Sequence, residues 1–317
     1  MTVADKDDPR FPRHPYGMTG LPVTSVCIGC APLGDMPDTF TYSVSEARAL
    51  ETLQAVFHSP FNFLDTAASY GDGESERRIG LALKQMGGLP QGVVLGTKAD
   101  RDLKTGEYTG EQFKRSVERS LRLLGLSRLQ LVYVHDPEHI TFEAAMAKGG
   151  PVEVLLDYKR QGVIEHVGVA GGPIDLMIRF VDTGMFEAVI THNRYTLIDR
   201  SAEPLLDLAH RRGLGVSNAA PYGSGILAKG AAAYPRYMYG QASEEQIEQV
   251  RRIEAACARH GVPLAAAALQ FSLRDPRVDT TIIGISKPER VAETEALAVQ
   301  PIPDELWGEI EAAVSPA

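Results

Sequence analysis

Cysteine is scarce in this 317-residue chain, which has three: Cys27, Cys30 and Cys257. So small and odd a number excludes a disulfide framework and suits a reducing compartment, the cytoplasm. Cys27 and Cys30 form a single CxxC, yet zinc needs about four ligands and no second pair exists. The run around them, VCIGCAPLG, reads as a strand entering a loop, where residues three apart face opposite sides. Two inert buried thiols are therefore expected, with a redox pair as the lesser alternative and no metal site. No stretch of about 18 apolar residues occurs, so no membrane span is expected. The opening MTVADKDDPRFPRHP lacks the apolar segment of a secretory leader. Positive charge is also short: 32 Lys and Arg against 41 Asp and Glu give −9. That balance offers no basic footprint for DNA or RNA.

Apolar material is plentiful. Hydrophobic residues make up 44% and charged residues 23%, which rules out global disorder. The length accommodates one large α/β barrel or two ordinary domains. Short β-rich runs recur at 26–30, 61–65, 93–97, 131–135, 166–170, 187–192, 214–218 and 280–285. Segments of helical spacing lie between them. In 45–58, Ala47, Leu50, Leu53, Val56 and Phe57 share one face; in 111–124, Phe113, Val117, Leu121 and Leu124 do so. Further helices are expected over 74–86, 151–161, 174–183, 201–212 and 289–298. Strands alternating with helices mean βαβ units and a parallel sheet covered on both faces.

Eight such units fill the chain and predict a closed (β/α)8 TIM barrel, a single domain over 1–317. An open doubly wound sheet is the alternative, weakened because no GxGxxG follows the first strand. Two segments depart from the repeat. Residues 16–26, with a turn signal at Thr19-Gly20, predict an N-terminal β-hairpin. Residues 221–273 make a long insertion after strand seven, rich in Gly, Pro and Tyr and then helical over 243–260 and 263–273. An insertion at that end of a barrel strand commonly serves a binding site.

In such a barrel the C-terminal strand ends build the active site. Strand two ends in Asp65, strand three in Lys98, strand four in His135-Asp136, and Tyr70 follows Asp65 on the same loop. A tyrosine alone titrates near pH 10, too high for a base at neutral pH. A neighbouring ammonium stabilises its phenolate, a carboxylate orients the ammonium, and a histidine bonds the substrate oxygen or shuttles the proton. Each residue also has an ordinary reading: a strand-end Asp as helix cap or ion-pair partner, a strand-end His as a satisfied structural residue. Four together favour proton-transfer chemistry.

The run DTAASYGDGESERRIGLAL from Asp65 resembles the DTAxxYGxGxSE signature of the aldo-keto reductases, matching Asp65, Thr66, Ala67, Tyr70, Gly71, Gly73, Ser75 and Glu76. GTKAD around Lys98, LVYVHDP, APYGSGIL, SLRDPRVDTTIIG and IIGISKPERVAET resemble later motifs of that family, in order and over nearly the whole chain. The resemblance implies a barrel that binds NADP or NAD without a Rossmann fold, with a tetrad of Asp65, Tyr70, Lys98 and His135. Tyr70 would be the acid in carbonyl reduction and the base in alcohol oxidation. Lys98 would lower its pKa, Asp65 would hold Lys98, and His135 would orient the substrate oxygen. Cofactor contacts would fall on Asp65, Asn193, Pro221, Tyr222, Ser224, Gly225, Gly284, Ser286, Lys287, Arg290 and Thr294.

Several departures stand out. The fifth-strand GVSN is GVAGG here, so Ala170 and Gly171 cannot hold a carboxamide by side chain. The sixth-strand Gln motif is THNRYTLIDR, leaving Asn193, His192 or Thr191 for that task. The aromatic that stacks on nicotinamide falls near Ala219, with Tyr222 three residues on. Lys287 and Arg290 suit a 2′-phosphate, but the usual Lys-Ser pair is missing and Thr294 replaces an Asn, so NAD and NADP both stay open.

HDP and NRYTLIDRSAEPLLDLA look more like the family's sugar and pyridoxal dehydrogenases, including aldose 1-dehydrogenases of the L-fucose or L-galactose type, than like its aldehyde-detoxifying reductases. The expected reaction is thus NAD(P)-dependent oxidation of an alcohol or sugar hemiacetal, with Asp35, Asp136, Arg194 and Tyr222 as polar candidates for a small-molecule substrate. Alternatives are an NADPH-dependent aldehyde or ketone reductase, a Schiff-base aldolase using Lys98, and a cofactor-sensing interaction subunit. Trp307 is expected to pack in the core. The two insertion helices leave a homo-oligomer open.

Overall fold

The computed structural model describes residues 8–314; the polar start of the chain, residues 1–7, lies outside them. Eight parallel strands close into a barrel: β1 (Val26–Gly29), β2 (Phe63–Asp65), β3 (Val94–Ala99), β4 (Leu129–His135), β5 (Ile164–Gly171), β6 (Ala188–His192), β7 (Gly215–Ala219) and β8 (Thr280–Gly284). β8 pairs back onto β1, with Ile282 opposite Cys27. All eight expected strands are present, with ends moved by a residue or two.

Alternation along the strands splits the core into two layers. Cys27, Phe63, Val94, Leu131, Tyr133, Ala170, Ala188, Ile190 and Ile282 fill the barrel interior with Tyr16 and Val23. Ile28, Leu64, Leu95, Val132, Val167, Val189 and Ile283 face the surrounding helices. Cys27 lies in the inner layer and Cys30 in the outer, both buried and free. Burial pushes both thiols above their ordinary values, so neither thiol is activated.

The N-terminal hairpin pairs His14–Pro15 with Pro22–Val23 through a turn in which Gly20 takes φ 74°. It closes the floor of the barrel. Tyr16 is fully buried; its ring meets Phe63 edge-on at 5.5 Å, and its hydroxyl lies 2.7 Å from Ser217 Oγ and 3.0 Å from Tyr133 OH.

The helices follow the expected apolar faces except at Ala47, which is exposed while Ala49, two residues on, is buried beside Leu53, Val56 and Phe57. Ser45, Thr109 and Ser243 cap Glu46–His58, Gly110–Leu124 and Glu244–Arg259, the last with a full capping box. No helix among the described residues is long and apolar enough to cross a membrane. The short helices Pro37–Phe40, Phe142–Met146 and Ile226–Lys229 were not expected, nor were a C-terminal helix and a ribbon. Asp304–Val314 is a helix that buries Leu306, Ile310 and Ala313, and Arg252 Nε of helix Glu244–Arg259 donates to the Ala313 carbonyl at 2.9 Å. Within the insertion, Arg236–Tyr237 pairs with Gly240–Gln241 in a two-stranded ribbon, too short for a period-two pattern to reveal. Trp307 is half-buried, with the Arg274 guanidinium 4.3 Å from its ring centre.

Close packing at the floor gives a direct test. A Cβ on Gly215 would lie 2.6 Å from the Tyr16 ring. Gly215→Ala is expected to destabilise the fold by about 1–3 kcal/mol through overpacking, read as a lower denaturant midpoint. Tyr16→Ala in the same chain should remove most of that penalty.

Candidate active site

Asp65, Lys98 and His135 stand at or beside the C-terminal ends of β2, β3 and β4. Side chains alternate along β3, so Thr97 turns outward to Glu76 while Lys98 turns inward. Lys98 Nζ donates to Asp65 Oδ2 at 2.7 Å, to the Thr66 carbonyl at 2.7 Å and to Tyr70 OH at 3.1 Å. The Lys98–Asp65 pair is almost wholly buried. Tyr70 is only partly covered. The loop that carries it needs glycine next in sequence: Gly71 takes φ 61°, and a Cβ there would fall 1.9 Å from the Gly34 carbonyl oxygen. The His135 ring meets Tyr70 edge-on, with centres 5.8 Å apart.

Burial alone would lower Lys98, but Asp65 and the Tyr70 oxygen outweigh it and hold the ammonium above its ordinary value. Burial raises Tyr70, and Lys98 pulls back without restoring the ordinary value. The expectation that Lys98 lowers Tyr70 thus holds for its contribution and not for the net result: Tyr70 rests here as a phenol. The cause is desolvation, which tells against a second buried anion beside Asp65.

A fifth residue joins the four. Asp100, two residues beyond Lys98 and immediately after β3, accepts from His135 Nδ1, which lies 2.8 Å from Oδ1 and 2.9 Å from Oδ2. Asp136 Oδ1 lies 3.6 Å from His135 Nε2. Burial would lower His135, but Asp100 and Asp136 together raise it.

The Aldo/keto reductase family model matches residues 25–315. The chain belongs to the aldo/keto reductase family. It is 30% identical to a pyridoxal 4-dehydrogenase of Microbacterium luteolum, covering 93% of this chain and 95% of that protein. It is 29% identical to a D-threo-aldose 1-dehydrogenase of a Pseudomonas species (92% and 94% covered) and 26% identical to an L-galactose dehydrogenase of Arabidopsis thaliana (95% and 93%). Among solved structures, an aldo-keto reductase from Bacillus halodurans in its holo form superimposes with a TM-score of 0.79 at 22% identity over 97% of both chains. The protein is an NAD(P)-dependent oxidoreductase acting on CH–OH groups.

The family's cofactor fits the residues present. Asp65 Oδ1 and Tyr222 OH are buried with no hydrogen-bond partner among the described residues, as groups awaiting a hydroxyl-bearing ligand would be. Tyr222 lies close enough to Arg290 and Glu293 to feel both charges. Ser286 and Arg290 are partly exposed, and Gly284 and Lys287 are open to solvent. Asn193 is buried at φ 58°; its Nδ2 sits 3.3 Å from His192 Nδ1, and its Oδ1 accepts from Ser224 Oγ at 3.4 Å. Pro221 is buried, and Ser224 and Gly225 take φ 64° and 123°. Thr294 is placed differently: it is buried and its hydroxyl donates to the Arg290 carbonyl at 2.7 Å, so what it supports is the helix that carries Arg290. Asp35 accepts from the Val44 N–H at 2.9 Å and thereby orders its own loop.

Asp136, immediately after β4, takes φ 43°, while Asn193 follows β6 and Ala220 (φ 57°) follows β7. Non-glycine residues are rare in that region, and each costs about 1–3 kcal/mol. The three turns re-aim the chain around one opening. Asp136, Glu138 and His192 gather there, with their polar atoms within 4.8 Å of one another. Glu138 was not anticipated, because an exposed acid in a short 3-10 turn has no pattern of its own.

The signature's remaining polar residues are structural. Ser75 Oγ donates to the Cys30 carbonyl at 2.9 Å, tying the β2 loop to β1. Glu76 is fully buried and accepts from Thr97 Oγ1 at 2.6 Å. Burial pushes its carboxyl up to about 7, against the pull of the Thr97 and Ser120 hydroxyls. Below about pH 4.5 folded and unfolded chains both hold this proton. Between there and about pH 7 the unfolded chain loses it first, so stability falls as pH rises through that window and levels off above it. Glu76→Gln should flatten the fall, measured as denaturant midpoint against pH from 4 to 8. A variant whose curve retains the wild-type slope would rule this origin out.

Proposed function

We propose that this enzyme oxidises a small polyhydroxylated substrate, an aldose in its cyclic hemiacetal form, to the corresponding lactone, with Tyr70 exchanging the proton of the reacting oxygen. The observation that carries the reading is the buried Lys98 ammonium fixed between Asp65 and the Tyr70 hydroxyl. A group so held stabilises charge on the phenol oxygen without having to move. When bound, the nicotinamide takes or gives the hydride. In reduction Tyr70 gives its proton to the carbonyl oxygen; in oxidation the same path runs in reverse, with Lys98 holding the phenolate.

The substrate class rests on the opening. Asp136, Glu138 and His192 set acceptors close together, as several adjacent hydroxyls require. The aldose and galactose dehydrogenases among the relatives support the same class. A Schiff-base aldolase is disfavoured: Lys98 donates to three oxygens and is held charged, whereas a nucleophilic lysine needs a free lone pair.

For the cofactor we infer a preference for NAD. Glu293 lies 4.0 Å from Lys287 Nζ and 3.6 Å from Arg290. Its carboxylate offsets both cations and opposes a 2′-phosphate, while accepting readily from a ribose hydroxyl.

Absorbance at 340 nm with NAD or NADP and a panel of aldoses, pyridoxal and simple aldehydes tests the reading. Aldose-dependent NAD reduction is expected, and Tyr70→Phe should lower kcat by about 10²- to 10⁴-fold with cofactor binding retained. Turnover of simple aldehydes with NADPH alone would make the enzyme a reductase; tight cofactor binding without turnover would favour a sensing subunit. Glu293→Gln is expected to raise kcat/KM with NADP relative to NAD by about tenfold, or ~1.4 kcal/mol. An unchanged ratio would remove Glu293 from cofactor choice.

A further inference from the structure

Asp100 is built into the structure more firmly than an incidental neighbour would be. Its side chain is buried. Oδ2 accepts the Ser69 N–H at 3.0 Å, its own N–H donates to Ser116 Oγ at 3.0 Å, and its carbonyl accepts from Gln112 Nε2 at 3.1 Å. Helix Gly110–Leu124 and the Tyr70 loop thus both fix it. The remaining face of the carboxylate meets His135 Nδ1 alone. His135 is restrained from the other side as well, because Tyr108 OH donates to its carbonyl at 2.5 Å.

We propose that Asp100 is a positioning residue that fixes the proton of neutral His135 on Nδ1 and leaves Nε2 bare towards the substrate oxygen. A carboxylate only accepts, so the ring nitrogen it faces must carry hydrogen. A neutral imidazole has one such proton, so Nε2 then offers a lone pair. That lone pair receives a hydrogen bond from the reacting hydroxyl as substrate binds, before the hydroxyl's one hydrogen turns to the Tyr70 oxygen in the proton transfer, and it cannot donate to a carbonyl until a second proton arrives. The neutral ring thus serves oxidation and the imidazolium serves reduction. The inference rests on the proposed placement of the reacting oxygen between Tyr70 and His135.

The charged and titratable groups facing His135 come from several elements. Lys98 and Asp100 belong to the β3 end, Asp136 follows on its own strand, Tyr70 comes from the β2 loop, and Asp65 and His192 act across the opening. Asp100 is the anion in direct contact with Nδ1, so its removal acts first on the charge and tautomer of this ring.

The test begins with wild-type protein labelled with ¹⁵N-histidine, the His135 signals being assigned by their loss in His135→Gln. Above its titration, His135 should show a protonated Nδ1 and an unprotonated Nε2. Asp100→Asn should bind NAD as wild type does by fluorescence titration. It should lose about 10- to 100-fold in kcat/KM, and its pH limb for oxidation should move to lower pH, because the anion that favours the imidazolium is gone. An Nε2–H tautomer in the wild type would overturn the proposal, as would a uniform loss in Asp100→Asn with an unmoved pH limb. If the variant fails to fold, the wild-type spectrum still decides. If no alcohol is oxidised while the Nδ1–H form is seen, the functional reading falls and the tautomer lock stands.

Discussion

One buried ammonium organises the catalytic end of this barrel. Lys98 contributes charge to a place where burial opposes charge, and it persists there because Asp65, the Thr66 carbonyl and Tyr70 converge on it. Removing one partner from such a pair commonly costs about 3–5 kcal/mol, because the other is left uncompensated. The geometry in turn depends on the parallel pairing of β2, β3 and β4, which sets their C-terminal ends side by side, and closure curves that edge into a rim around one opening. The inner layer packs tightly inside the closed sheet, where the Tyr133 and Tyr16 rings leave room only for glycine at Gly168 and Gly215. The chemistry and the core are therefore parts of one constraint.

Around that rim the backbone is held in conformations that it would otherwise avoid. Asp136, Asn193 and Ala220 adopt left-handed geometry directly after three strands. The turns persist because neighbours overdetermine them. The Asp136 N–H donates to the Ala170 carbonyl at 2.8 Å, and the Asn193 N–H donates to the Ala219 carbonyl at 3.2 Å. The ribbon Arg236–Gln241 adds a latch, with Tyr237 OH donating to the Asn193 carbonyl at 2.9 Å and the Tyr239 N–H donating to Ser224 Oγ at 3.0 Å. Gly223 is required beneath the Tyr237 ring, where a Cβ would come within 2.4 Å. Two loops from separate strands are thus closed over one another by side chains that the barrel repeat does not specify.

The barrel and the four residues at its rim were legible because each depends on a regular signal. Buried parallel strands read as apolar runs, and residues at strand ends fall at one mouth by topology. The signature around Asp65 then tied Tyr70 to Asp65. Asp100 was missed although it stands two residues from Lys98, since nothing in a lone Asp tells whether it meets a distant histidine. Glu76 was read as part of a motif without a task, because burial cannot be seen in a polar letter. The helix Asp304–Val314 did carry Leu306, Ile310 and Ala313 at helical spacing, but it follows the last strand, where the repeat gives no reason to look. The net upward displacement of Tyr70 was hidden for a different reason: it is set by how much water the folded loops exclude.

Tyr16 stoppers the floor, with its ring on Phe63 and its hydroxyl between Ser217 and Tyr133. With the inner layer packed above it, the interior is a solid plug rather than a pore. The residues at the rim are therefore reached from one side alone, and a hairpin at the far end of the barrel helps to set that, although none of its own atoms takes part in the chemistry.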